Sequence, residues 1–218
     1  MDGLGRETVD SLGTTVDDLV AIGRLLDSPR LAHIWFTLYI EGNIMSEESD
    51  SNPFLWDGIT VSELSEHLAC EIPQSTLYSD MDELREIGAV RVETEGQPTG
   101  FSAKFFQTEA ENVDKIGGDG LIGPQMIGLV GEAFTDEAVQ QYLDTYRYSL
   151  LNDALQIYVA SLRGGLDRSF IEMFPEIDSD MLDAVIPAIE RVLFDMSRNP
   201  LWGEDFRSEL STLDSTVS

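Results

Sequence analysis

Apolar residues recur at three- and four-residue steps over much of the chain, the spacing of helices with one buried face. Between Thr8 and Leu26, the residues Val9, Leu12, Val16, Leu19, Ile22, Leu25 and Leu26 share such a face, with Pro29 just past its end. The stretch SPRLAHIWFTLYIEG predicts a second helix. Ser28 is its candidate N-cap, Pro29 takes the first position, Leu31, Ile34, Trp35, Leu38 and Tyr39 form the stripe, and Gly42 follows the last turn. A polar loop, NIMSEESDSNPFLWDG, comes next. Thr60 then caps a short helix with Val61, Leu64 and Leu68 inward, and Glu63 completes a capping box. After the link Cys70 to Pro73, a helix from about Gln74 to Ile87 sets Leu77, Met81, Leu84 and Ile87 on one side, and Gly88 closes it.

The period then changes. AVRVET, the turn EGQPTG and FSAKFFQTE predict a strand, a reversal and a returning strand. The glycine-rich stretch NVDKIGGDGLIGP predicts a hinge or linker, and beyond it only helices are expected. Thr135 is the candidate cap of a long helix reaching about Leu162, with Val139, Tyr142, Leu143, Tyr146, Leu150, Ala154, Ile157 and Tyr158 over a broad apolar face. A last helix, from about Asp180 to Ser197, carries Leu182, Val185, Ile186, Ile189, Leu193 and Met196, with Pro187 placed to kink it.

Three helices and a hairpin in this order make a winged helix-turn-helix. The segments VSELSEHL, IPQSTLYSDMDELREIGAVRVE and the wing ending FFQTEAE resemble the winged-helix transcription regulators of bacteria and archaea, a broad group with ArsR-like, MarR-like and PadR-like members. The resemblance spans about Leu26 to Glu109. The fold class expected is mostly α with a small β-hairpin wing: a winged helix-turn-helix domain followed by an α-helical domain. The implied organisation is an N-terminal helix over residues 1–27, a DNA-binding domain over 28–111, a linker over 112–123, and a helical domain for dimerisation and sensing over 124–218.

In such regulators the second helix of the motif enters the major groove, and its early exposed side chains meet base edges. Carried over by position, the resemblance makes Gln74, Ser75, Thr76, Tyr78 and Ser79 the reading face. It makes Arg85, Arg91 and Lys104 phosphate contacts, and places Gln97 and Thr99 at the wing tip. The chain departs from the family in charge: Asp80, Asp82, Glu83 and Glu86 follow where such helices usually carry Arg or Lys. One recognition helix covers one half-site, so a homodimer on double-stranded DNA is implied. Tyr142, Tyr146, Leu150 and Ile157 are the candidate dimerisation residues, since the helix carrying them is apolar over more of its girth than one core needs. The rival reading is a winged-helix module that binds protein, because fold alone does not fix function. A small-molecule effector held among the Tyr, Phe and Met side chains of the C-terminal half is compatible with the DNA reading.

Composition adds one constraint. With 41 acidic and 13 basic residues among 218, the formal charge is -28. The acid is spread over both halves and lysine occurs only at Lys104 and Lys115. This balance resembles that of cytoplasmic proteins of salt-loving archaea. Molar salt shortens the Debye length to about 3 Å, so carboxylates can crowd a surface without unfolding it. Acids gathered on one face would instead favour a mimic of nucleic acid.

Cys70 is the only cysteine, which excludes an internal disulfide and favours a cytoplasmic home. The opening MDGLGRETVD lacks the character of a leader, and no apolar run reaches the roughly 20 residues of a membrane span. Catalysis is not expected. His33 and His67 lie on predicted helices in packed or solvated roles, and with Cys70 they lack zinc-site spacing. No phosphate-loop, nucleophile-elbow or zinc-protease motif occurs, GGDG at Gly117 to Gly120 reads as flexible chain, and no cofactor or metal is implied.

Overall fold

The structure is a computed structural model that describes residues 15–48, 58–94, 98–109, 112, 121–146, 148–162 and 178–198. Among the described residues it is mostly helical, with eight helices, a three-stranded antiparallel sheet and a two-stranded one.

Helix α1 (Val16–Asp27) begins at Thr15, whose hydroxyl accepts from the Asp18 amide while the Asp18 carboxylate accepts from the Thr15 amide. The earlier part of the expected first helix lies outside the described residues. Helix α2 (Pro29–Glu48) starts where Ser28 Oγ accepts from the Leu31 amide. It does not stop at Gly42, as the sequence had suggested, but runs on to Glu48. A helical glycine costs about 1 kcal/mol. Ile40 is buried and Ile44 packs against the core on either side of it, so tertiary burial outweighs that cost.

Strand β1 (Ile59–Thr60) leads into α3 (Val61–His67), which is capped as expected by the reciprocal Thr60 and Glu63 bonds. Helix α4 (Gln74–Glu86) ends in a Schellman arrangement: Gly88 takes a left-handed φ of 73°, its amide donates to Arg85, and the Ala89 amide donates to Leu84. Strands β2 (Val90–Thr94) and β3 (Gly100–Ala103) form the expected hairpin, with a register irregularity between Val92 and Thr94. β1 adds to the far side of β3, pairing Ile59 with Phe101, so the sheet order is β1-β3-β2. Gly58 enters this sheet at φ 78°, and a Cβ there would lie 2.6 Å from the Phe101 backbone nitrogen.

Strand β4 (Thr108–Glu109) pairs antiparallel with β5 (Leu121–Ile122), so the expected linker 112–123 ends in a strand. Helices α5 (Pro124–Glu132), α6 (Glu137–Thr145), α7 (Tyr148–Leu162) and α8 (Ser179–Arg198) follow. The single long helix expected from Thr135 to Leu162 is therefore two. Its cap is Asp136, whose carboxylate accepts from the Ala138 amide, and at Tyr146 the backbone turns extended. Pro187 lies inside α8.

Helix α2 is central. It is apolar nearly all round, and Leu31, Ala32, Ile34, Trp35, Phe36, Leu38, Tyr39 and Ile40 are all buried, as expected of a helix enclosed by others. On one side Trp35 Nε1 donates to the Ala89 carbonyl at 3.0 Å, tying α2 to the start of the hairpin. On the other side α5 lies against it, where a Cβ on Gly128 would be 2.7 Å from the Phe36 ring and one on Gly131 would be 2.7 Å from the His33 backbone nitrogen. The expected division between a 28–111 unit and a 124–218 unit is crossed by this contact: one cluster of buried residues runs from Ala21 to Met196. Tyr148 reinforces it by donating from its hydroxyl to the Leu26 carbonyl at 2.6 Å.

Candidate nucleic-acid interface

Helix α4 is placed by its apolar side. Leu77, Met81 and Leu84 are buried, so at 100° per residue the opposite side must face outward. Ser75 and Ser79 are exposed there, with Tyr78, 54% exposed, on the flank; Gln74, three residues before Leu77 and so on its side of the helix, is exposed at the helix start, and Thr76 is half-buried. The helix begins after Pro73 with no side-chain cap and no acidic residue in its first turn. Its first backbone N–H groups and the positive end of its dipole therefore lie beside neutral hydroxyl and amide side chains. The carboxylates gather toward its other end.

Two of those carboxylates are neutralised from other helices. Asp80 falls on the buried side, where Oδ1 accepts from Arg30 at 2.8 Å and Oδ2 has no hydrogen-bond partner among the described residues. Glu83 accepts from Arg24 of α1 at 3.2 Å across an exposed pair. A carboxylate set within the stripe Leu77, Met81, Leu84 was the sequence signal that a cation had to meet it. The cation comes from a residue 50 positions away, which local spacing does not reveal.

The expected phosphate contacts differ in availability. Arg85 is exposed and stands 3.5 Å from Asp82 on its own helix. Arg91 is exposed on β2 and makes no ion pair among the described residues. Lys104 is already engaged: its ammonium donates to the Asp18 carboxylate and lies 5.6 Å from the centroid of the Phe106 ring. It braces α1 against the end of β3 and does not stand free as the expected phosphate contact would. Burial alone would raise the Asp18 carboxyl, but the bond from Lys104, with those from Thr15, outweighs it and holds the group below the usual carboxylate range. Thr99 is half-buried beside the hairpin turn, and Gln97 lies outside the described residues.

The candidate dimerisation residues do not form one exposed patch. Tyr142 is fully buried, its hydroxyl donating to the Leu150 carbonyl at 3.1 Å and its ring 4.9 Å from that of Tyr146. It closes α6 onto α7 inside this chain, which removes it from any surface between subunits. Burial raises its phenol well above the ordinary value. Tyr146 is half-buried and its hydroxyl accepts from the Asp178 amide at 3.1 Å; Leu150 is half-buried. Ile157 lies on α7, but its side chain is outside the described residues.

Among the described residues, no group of three or more His, Cys, Asp or Glu side chains is arranged to hold a metal ion. No helix among them is long and apolar enough to cross a membrane. Compared with protein-family models, curated proteins and solved structures, the chain matches none.

Proposed function

We propose that the chain is a winged helix-turn-helix DNA-binding regulator that works as a homodimer in concentrated salt, with α3 and α4 as the helix-turn-helix and β2 and β3 as the wing. The order α2, β1, α3, α4, β2, β3 and the strand order β1-β3-β2 support the architectural part of this reading. One observation carries the functional part. In a chain of charge -28, the outward start of α4 bears Gln74, Ser75, Tyr78 and Ser79, all hydrogen-bonding and none acidic. Such side chains can meet base edges and phosphates, and the uncapped helix start adds donors for a phosphate. Arg85 and Arg91 are the cations nearest in sequence to this surface. Arg24 and Arg30 act indirectly by cancelling Glu83 and Asp80, which lowers the negative potential that α4 presents.

In dilute salt a negative protein forfeits the counterion release that drives DNA binding and is repelled. At molar ionic strength repulsion is screened beyond about 3 Å, so short polar contacts decide the outcome. The test is selection of genomic DNA fragments by the full chain in molar KCl, followed by sequencing of the retained pool. A recurring two-fold symmetric sequence is expected; an unenriched pool contradicts the reading. Sedimentation in the same salt tests the dimer, and a clean monomer on its DNA would remove that part.

A further inference from the structure

A polar cleft of about 610 Å³ opens between α2, α3, α8 and the corner joining α5 to α6, on surfaces that the DNA reading does not use. A volume of this order suits a small molecule. His33 of α2 lines it and is only 6% exposed, and its Nε2 has no hydrogen-bond partner among the described residues. Buried polar atoms are ordinarily paired, so one left open beside a cavity points to a missing partner. Burial holds the imidazole below its ordinary pKa, so the ring is neutral near pH 7, and in the tautomer protonated at Nδ1 its Nε2 is an acceptor.

The walls give the charge of that partner. Arg191 donates to Glu132 at 2.8 Å and to Asp136 at 2.5 Å. Arg198 lies 3.3 Å from Glu41 and 3.6 Å from Asp195. Four carboxylates therefore face two guanidinium groups, with His67 3.5 Å from Glu41 at the α3 side. This excess disfavours an anion. A compact metal ion is disfavoured too, since no cluster of three or more ligands occurs among the described residues. Phe36 and Phe194 supply apolar lining, and Phe194 is 57% exposed, as an uncovered aromatic beside a cleft would be. Aromatic faces attract organic cations as well as apolar groups.

We propose that this cleft binds a small organic ammonium ion with an apolar arm, its N–H groups donating to His33 Nε2 and to wall carboxylates while Phe36 and Phe194 cover the arm. The site stands independently of the DNA reading. Its position against α3, the helix preceding α4, is where an effector of the proposed regulator would sit, and only that regulatory meaning rests on the earlier reading.

The test uses the full chain with ¹⁵N-labelled histidine in molar KCl and no DNA. Phenethylamine hydrochloride is titrated in, with phenylacetate as the anionic counterpart. A saturable shift of the His33 Nε2 resonance with the amine, and none with phenylacetate, is expected. Affinity should fall about tenfold in Asp195→Asn and in Glu132→Gln, each of which removes one wall charge while keeping the side chain's shape. A resonance that does not move, an equal response to phenylacetate, or unchanged affinity in both folded variants overturns the proposal. The wild-type titrations decide it even where a variant fails to fold.

Discussion

Along the seam between α2 and α5, Gly128 and Gly131 let two helices approach until a methyl group would not fit. At the start and on the outer side of α4, Gln74, Ser75, Tyr78 and Ser79 stand in solvent. The first region is dry, close-packed and intolerant of added volume; the second contributes little burial and carries side chains chosen for hydrogen bonding. The contrast separates residues that hold the fold from residues it leaves exposed to solvent. It also explains how α4 can keep polar groups outward: its position is fixed from behind, by Leu77, Met81 and Leu84 in the core and by Arg24 and Arg30 on its carboxylates.

Substitutions at the seam should give the largest effects. In Gly131→Ala the new Cβ meets His33 backbone atoms at 2.7 and 2.8 Å, which cannot swing aside, and a loss of about 3 kcal/mol is expected by urea unfolding in molar KCl. Gly128→Ala meets only the Phe36 ring and should lose less; equal losses would mean that the seam relaxes as one body.

Next comes the support of α4. Arg30→Ala leaves the buried Asp80 carboxylate without its cation, and about 2 kcal/mol should be lost in the same assay. The partly exposed guanidinium keeps this below the value for a fully enclosed pair. Removal of Arg24 from the exposed pair with Glu83 should cost about 0.5 kcal/mol or less, so a similar loss for both arginines would mean that the burial of Asp80 makes no difference.

A pH series sharpens the role of Lys104. The Asp18 carboxyl titrates lower folded than unfolded, so the unfolded chain binds the extra proton first as pH falls. The stability this group contributes is therefore complete above the ordinary Asp value, about 3.9, and is lost as pH drops through the lower folded value. Lys104→Met should flatten that part of the profile. An unchanged acid limb would show that Lys104 is free, as its expected phosphate role requires.

Smallest of all in stability is the outer face of α4, the surface proposed to meet DNA. Ser75→Ala with Tyr78→Ala should change unfolding free energy by no more than about 0.5 kcal/mol. An equal loss of stability and binding would reclassify both as packing residues.

The parts of this molecule that the sequence announced are those fixed by near neighbours. The capping box at Thr60 and Glu63 spans three positions, and the close of α4 at Gly88 depends on one left-handed residue after an apolar stripe. Strands β1 and β5 are two residues long, too short for alternation to register, and each exists because a partner strand lies beside it. The break between α6 and α7 was hidden because Tyr142, Tyr146 and Leu150 continue a helical spacing across it; the buried Tyr142 hydroxyl and the Leu150 carbonyl bond over the break. Of the candidate site, the exposed start of α4 was legible from the stripe opposite it. The engagement of Lys104 by Asp18 was not, because the partners are 86 positions apart.

The most direct test follows fluorescence anisotropy of a fragment selected by the wild-type chain while KCl is raised from dilute to molar. Affinity is predicted to hold or strengthen with salt, and to fall about tenfold at high salt in the Ser75→Ala, Tyr78→Ala variant with its unfolding curve unchanged. A steep decline of wild-type affinity as KCl rises, or a variant that binds as tightly as the wild type, would contradict the claim that the start of α4 reads DNA under screened charge.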